Sequence, residues 1–225
     1  MSLLRLENVA GGYGDTLVHR GLSLELGPGQ VLGVIGRNGT GKTTLARLIG
    51  GELRAAEGRI RLEGRDITAL PPWARAKAGI TLMPQTEMVF DALTVAENLA
   101  LLGPVKLGAL GERFPRITER LGQQAGSMSG GERKILGFVR AMLSPALVLV
   151  LDEPSEGVQA ENIAHMQSCI SEARARGQSC VLFEQNITMV EALADAVIAL
   201  DSAGIVYQAC GDEIAREAML AALRV

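Results

Sequence analysis

The sequence predicts an α/β fold: a largely parallel sheet covered by helices, with short strands before it and a small helical lobe inserted into it. Three observations predict this. The apolar run Val31-Leu-Gly-Val-Ile35 feeds a glycine-rich turn, Gly36-Arg-Asn-Gly-Thr-Gly-Lys-Thr-Thr44, that opens onto apolar residues at helical spacing. A second run, Val148-Leu-Val-Leu151, ends in the adjacent acids Asp152 and Glu153. Strand-like and helix-like segments also alternate through the second half, the pattern of parallel strands joined by crossover helices.

In chain order, Leu3–Val9 and Leu22–Leu26 read as short strands, separated by Gly11-Gly12-Tyr13-Gly14 and followed by the turn Gly27-Pro28-Gly29. The helix after the glycine-rich turn is predicted to stop at Gly50-Gly51. Gly58–Gly64 reads as a hairpin strand, 72–78 as a helix and Gly79–Pro84 as a strand. Helical periodicity over 94–102 starts at Thr94, with Glu97 placed to complete a capping box. A Gly/Pro-broken stretch, Gly103–Gly111, precedes a charged helical patch at Arg116–Leu121, so residues from about 88 to 130 are expected to form a helical lobe within one domain spanning 1–225. Then follow a helix at 132–143, the strand Leu147–Leu151, a helix near 160–175, the strand Cys180–Phe183, a helix at 188–194, and a hairpin of Val197–Leu200 and Ile205–Gln208 around Asp201–Gly204.

Composition narrows the classes of partner. At 225 residues the chain can bury a substantial core, and with 3% aromatic residues that core must be aliphatic. A formal charge of −3 without a dense Lys/Arg block speaks against a nucleic-acid groove. The N-terminus lacks a signal-peptide pattern, and the longest apolar runs are too short to span a bilayer. A cytosolic protein is expected, one that serves a membrane only through a partner. Cys169, Cys180 and Cys210 fit no paired metal spacing and read as reduced core cysteines.

The turn at Gly36–Thr44 carries the clearest chemistry. Its glycines let successive N–H groups converge on anionic oxygens, and the helix behind adds its positive end. Lys42 can reach outer phosphates, and the Thr43 hydroxyl can hold Mg²⁺. Gly36, Asn38, Gly39, Thr40, Gly41, Lys42, Thr43 and Thr44 are therefore candidate contacts to a nucleoside triphosphate. Beside such a loop, Asp152 is a candidate metal ligand and Glu153 a candidate base for the attacking water. Ser129-Gly130-Gly131-Glu132 opens the helix ahead of them. Alone it would pass as a plain N-cap; here it reads as a second anion-binding N-terminus.

In these motifs the chain resembles the ATP-binding subunits of ABC transporters. Gly36–Thr44 is similar to their Walker A, Leu149–Glu153 to their Walker B with catalytic glutamate, and Met128–Glu132 to their signature. Tyr13 matches the aromatic that stacks on adenine, and Gln85 the glutamine that meets Mg²⁺ at the junction with the membrane subunit. The resemblance spans nearly the whole chain. It implies a P-loop NTPase core with an N-terminal antiparallel β subdomain and an inserted helical subdomain, ATP and Mg²⁺ as cofactors, and ATP hydrolysis coupled to transport. It also implies a second ATPase subunit, identical or paralogous, whose ATP would be capped by Ser129, Gly130, Gly131 and Glu132. Polytopic permease subunits on the inner face of the membrane and, indirectly, a periplasmic solute-binding protein complete the implied assembly.

Shorter stretches resemble the branch importing branched-chain amino acids, urea and short amides: Gly64–Pro72, Leu93–Leu99, Phe114-Pro115 and Phe183-Glu-Gln-Asn186, with Glu156-Gly-Val-Gln159 nearer the urea type. The other class to weigh is a soluble ABC-type ATPase acting on a non-transport partner, for which a duplicated core or a basic groove would speak. Three departures stand out. Glu132 replaces the frequent signature glutamine, and Gln159 stands near the usual D-loop aspartate. Gln185 replaces the switch histidine and can hydrogen-bond a γ-phosphate but carries no positive charge. Glu153 and Gln185 are the candidate catalytic residues, with Glu153 dominant. His19 and His165 are expected on the surface.

Overall fold

The computed structural model describes residues 2–86, 89–103, 106–202 and 204–223. Met88 at the expected start of the helical lobe, Pro104 in the Gly/Pro-broken stretch and Ala203 in the last hairpin turn lie outside the described residues.

Two sheets organise these residues. The first is antiparallel, in the order β2 (Thr16–Leu26), β1 (Leu4–Tyr13), β4 (Glu57–Leu62), β5 (Arg65–Asp66). The second runs β10 (Gly204–Cys210), β9 (Ala196–Asp201), β3 (Val31–Gly36), β8 (Ser179–Glu184), β7 (Val148–Asp152), β6 (Ile80–Met83). It is parallel except for the antiparallel β9–β10 edge.

Each central strand of the parallel sheet is buried on both faces, which is why its sequence is an unbroken apolar run. In β7, Val148 and Val150 face a core shared with the antiparallel sheet and with α1 (Lys42–Gly50) through Leu45, Leu48 and Ile49. Leu149 and Leu151 face the opposite core, built by α6 (Gly130–Leu143), α7 (Ala160–Ala175), α8 (Ile187–Leu193) and the helical insert. That insert comprises α3 (Val95–Ala100), α4 (Ala109–Arg113) and α5 (Pro115–Glu119), which reach the core through Val95, Leu99, Phe114 and Ile117. Thr94 caps α3 with the expected box: its hydroxyl accepts from Glu97 N, and Glu97 accepts from Thr94 N. The helix α2 (Pro72–Ala78) supplies Arg75, which is 1% exposed and donates to the carbonyls of Leu48, Ile49, Thr68 and Leu70. It thereby satisfies the carbonyls that the end of α1 leaves open.

The two N-terminal strands are longer than their sequence suggests, because the glycines expected to break them lie inside the hairpin. Register shifts between Leu6 and Val9, and again between Val9 and Gly11, mark bulges, with Asn8 and Gly21 at positive φ. The short helices α4 and α9 (Arg216–Ala222) were not legible in the pattern.

Candidate functional site

At the C-terminal ends of β3 and β7 the phosphate loop and Glu153 line a cavity of about 200 Å³, with Gln185, at the end of β8, bonded to Glu153 beside it. It is lined by Val18, Asn38, Gly39, Gly41, Lys42, Thr43, Thr44, Gln85 and Glu153. The loop is shaped by close approach. A Cβ on Gly36 would lie 2.5 Å from Thr40 Oγ1 and 2.8 Å from the Leu200 carbonyl. Gly41, the N-cap of α1, has φ +95°, and no side chain caps this helix, so its first N–H groups are open to a ligand. Thr40 stiffens the turn by donating to the Arg37 carbonyl at 2.9 Å.

Glu153 sits at the centre. It is 4% exposed and has φ +49°, a left-handed conformation that a non-glycine residue adopts at some cost. Its Oε1 pairs with Lys42 Nζ at 3.1 Å and accepts from Gln185 Nε2 at 2.8 Å; its Oε2 accepts from Gln85 Nε2 at 3.0 Å. Lys42 also donates to the carbonyls of Gly36 and Arg37, and Gln185 to Asn38 Oδ1 at 2.8 Å. The two candidate catalytic residues, the loop lysine and Gln85 are thus one connected network.

Sequence reasoning missed three residues that hold this network. Lys134, buried in α6, donates to the Glu153 carbonyl at 3.0 Å and pairs with Glu156 at 3.2 Å, and Glu156 in turn accepts from Gln85. Glu184, 2% exposed at the end of β8, accepts from the backbone N–H groups of Ser155, Gln185 and Asn186. Burial pushes the Glu184 carboxyl up, and those donors oppose the shift. Only a charged residue at an otherwise apolar helix or strand position could have signalled Lys134 or Glu184 in the sequence.

Asp152 differs from its neighbour. It is 1% exposed, and neither carboxylate oxygen has a hydrogen-bond partner among the described residues. Burial pushes its carboxyl up to about 6; the nearby Thr43 hydroxyl opposes this, Glu153 adds to it, and Lys42 and Lys134 pull back. The Thr43 hydroxyl lies outside hydrogen-bonding geometry to Asp152 and points instead to Gln85 Oε1 at 3.5 Å. Asp152, Thr43 and Gln85 together offer an all-oxygen donor set, with the Asp152 oxygens unspent, and this suits a hard cation such as Mg²⁺.

The remaining candidates lie apart. Tyr13, at the end of β1, is 45% exposed; its hydroxyl accepts from Arg47 Nη1 at 3.4 Å, and it does not line the phosphate cavity. Ser129 and Gly130 are exposed at the N-terminus of α6, with Gly131 and Glu132 half-buried. Glu132 folds back as the capping partner of Ser129, accepting from its N–H at 3.0 Å and pairing with Arg120 at 3.2 Å. The backbone donor and Arg120 hold its carboxyl below the usual range. A glutamate at this place therefore has a structural task, the box with Ser129. None of these four lines the phosphate cavity; Ser129, Gly131 and Glu132 line a separate cleft of about 690 Å³ against α5 and the start of α7. Gln159 is the exposed N-cap residue of α7 and makes no side-chain cap.

Three expectations are corrected. His19 is 2% exposed, not a surface residue, with its ring against the phosphate loop. His165 is half-buried, edge-on to Phe114 at 6.0 Å, because α7 packs there against the helical insert. Cys169 and Cys180 are core residues, but Cys210, at the end of an edge strand, is exposed.

Comparison with known proteins converges on one family. The ABC transporter family profile matches residues 19–156. The chain is 36% identical over 217 residues to the high-affinity branched-chain amino acid transport ATP-binding protein BraG of Pseudomonas aeruginosa, covering 93% of each chain. It is 33% identical over 200 residues to the lipopolysaccharide export system ATP-binding protein LptB of Haemophilus influenzae, covering 83% of this chain and 82% of that one. A crystal structure of a nucleotide-free ATP-binding cassette from an ABC transporter superposes with a TM-score of 0.81 at 28% identity, covering 95% of this chain and 93% of that one.

Proposed function

The chain belongs to the ABC transporter family and is an ATPase subunit of that family, and from this premise we propose that it powers uptake of a small polar solute by closing head-to-tail on a second ATPase subunit. The observation that carries the proposal is the separation of the two anion-ready helix ends. The N-terminus of α1 faces the phosphate cavity, while Ser129 and Gly130 are exposed at the N-terminus of α6, away from it. A triphosphate on the loop is left half-enclosed, and the Ser129-Gly130-Gly131 end of another subunit would complete its cradle. Glu132 would hold that end in shape.

Tyr13 leaves a ring accessible to stack on adenine, and the N–H groups of Gly36–Thr44 hold the phosphates. Asp152, Thr43 and Gln85 would hold Mg²⁺, which neutralises charge on the outer phosphates when bound. Lys42 exchanges Glu153 for phosphate oxygens. Glu153, released from Lys42 and Gln85, takes a proton from the attacking water. Gln185, already bonded to Glu153, reports the γ-phosphate without carrying charge. Loss of that phosphate removes the bridge between subunits, and the halves separate.

No helix among the described residues is long and apolar enough to cross a membrane. Attachment to the inner face of the membrane would run through polytopic permease subunits received near Gln85–Val95, where Phe90 is 56% exposed. A periplasmic solute-binding protein would act on the far side. BraG, a branched-chain amino acid transport protein, supports an amino-acid cargo, whereas LptB belongs to a lipopolysaccharide export system; the stretch Phe183–Asn186 fits the branched-chain amino acid, urea and short-amide importers alike, and Glu156–Gln159 is nearer the urea type. The test is complementation. Lys42→Ala and Ser129→Arg copies are each expected to lose turnover, and mixing them restores it by assembling one intact site. Ser129→Arg retaining full turnover alone overturns the composite site, and stimulation by DNA or RNA in place of a co-purifying membrane protein overturns the transport reading.

A further inference from the structure

His19 is a buried imidazole that the mechanism above does not use, and it touches the phosphate loop at its most constrained point. Its Nε2 donates to the Gly41 carbonyl at 2.8 Å. The same carbonyl accepts the first helical bond of α1, from Leu45 N at 2.9 Å. A peptide plane held by two donors cannot rotate freely, and the other end of this plane is the N–H of Lys42. That N–H points opposite to the carbonyl, toward the end of the helix where the phosphates bind. The fit is also tight: a Cβ on Gly41 would lie 2.7 Å from the His19 ring and 2.8 Å from Val18, which itself lines the phosphate cavity. Burial lowers the pKa of His19, so the ring is neutral and carries its proton on Nε2, as a carbonyl partner requires.

His19 reaches this position through a backbone irregularity. Leu22, Leu24 and Leu26 point inward from β2, and strict alternation would send residue 20 inward next. Between the pairs Val9–Leu22 and Gly11–His19, β2 spends one residue more than β1, with Gly21 at φ +66°. The bulge turns residue 19 inward instead.

We propose that His19 is a positioning residue for nucleotide binding: it docks the antiparallel sheet onto the phosphate loop and fixes the Gly41–Lys42 peptide that presents an N–H to phosphate. The proposal rests on nucleotide binding at this loop, which calorimetric titration of the unmodified protein with ADP tests separately. His19→Leu, which keeps the volume and removes the donor, is expected to weaken ADP binding about fivefold, the worth of one neutral hydrogen bond, with kcat at saturating ATP changed by less than about twofold. His19→Gln, whose amide can donate from a similar distance, is expected to restore affinity to within about twofold. Unchanged ADP affinity in His19→Leu overturns the proposal, and so does an equal loss in both variants, which would mean packing alone. A test free of folding defects uses the unmodified protein labelled with ¹⁵N-histidine, which has two histidines to assign. An Nε2–H tautomer for His19 whose resonance moves on adding ADP supports the proposal, and an Nδ1–H tautomer or an unmoved resonance overturns it.

Discussion

The end of the parallel sheet and the N-terminus of α6, the two halves of the proposed composite site, are held in opposite ways. Around Glu153 the groups are partnered inside the chain, Asp152 excepted: Lys42, Gln85 and Gln185 contact the Glu153 carboxylate, and Lys134 holds its carbonyl. At Ser129 the side chain is engaged by the local box with Glu132, and Ser129 and Gly130 stay exposed. The first region is preorganised by its own fold and guards its reactive groups with one another. The second is only capped, and in the proposed function another subunit completes it. A buried, mutually satisfied cluster costs little to keep, whereas isolated charges there would carry a large desolvation penalty.

The largest effect that would test this contrast comes from Glu153→Gln. Turnover is expected to fall by about 10²–10⁴, the usual worth of a general base, with nucleotide still bound. In steady-state phosphate release, Gln185→Ala is expected to lose about tenfold or less, because an uncharged donor at this place orients rather than reacts. Equal losses for the two would break the ranking of Glu153 over Gln185.

A smaller effect follows at Lys134. Lys134→Met removes charge-assisted bonds to the Glu153 carbonyl and to Glu156, and kcat is expected to fall about tenfold, with ADP affinity unchanged. A change in affinity without a change in kcat would place Lys134 with the loop instead of with the base.

The remaining effect falls on stability, with turnover not its readout; it concerns Asp152, and its sign follows from its raised pKa. Between the ordinary value of 3.8 and about 6 the unfolded chain releases this proton while the folded protein keeps it. Ionised Asp152 therefore destabilises the nucleotide-free fold fully above about pH 6, and the penalty fades as pH falls toward 3.8. Asp152→Asn is expected to stabilise the nucleotide-free protein by about 1–3 kcal/mol at pH 7.5, and by less at pH 5, in urea unfolding. No pH dependence in that difference would mean that Asp152 has found a partner. In the unmodified protein, Mg²⁺-dependent tightening of ADP binding is expected to weaken as pH drops through 6.

Much of this contrast was readable along the chain. The phosphate loop, the strand ending in Asp152-Glu153 and the serine-glycine helix start are contiguous stretches whose chemistry depends on neighbours in sequence. The alternation of apolar strands and helices likewise carried the parallel sheet, because two-sided burial writes itself as unbroken runs. Lys134, Glu184 and His19 were not readable, since each acts on a residue far away along the chain.

Local patterning was enough to say that a triphosphate loop stands beside an acidic strand end, because glycine conformations, helix ends and strand periodicity are properties of short segments. It could not say which groups face one another. One extra residue in β2 turned His19 inward, the packing of α6 against β6 and α7 brought Lys134 to the Glu153 carbonyl, and the burial of β7 left Asp152 without a partner among the described residues. Those facts depend on register and on layers closing over one another. Only the folded chain has them, because burial and long-range hydrogen bonding are set by three-dimensional neighbours and not by sequence neighbours.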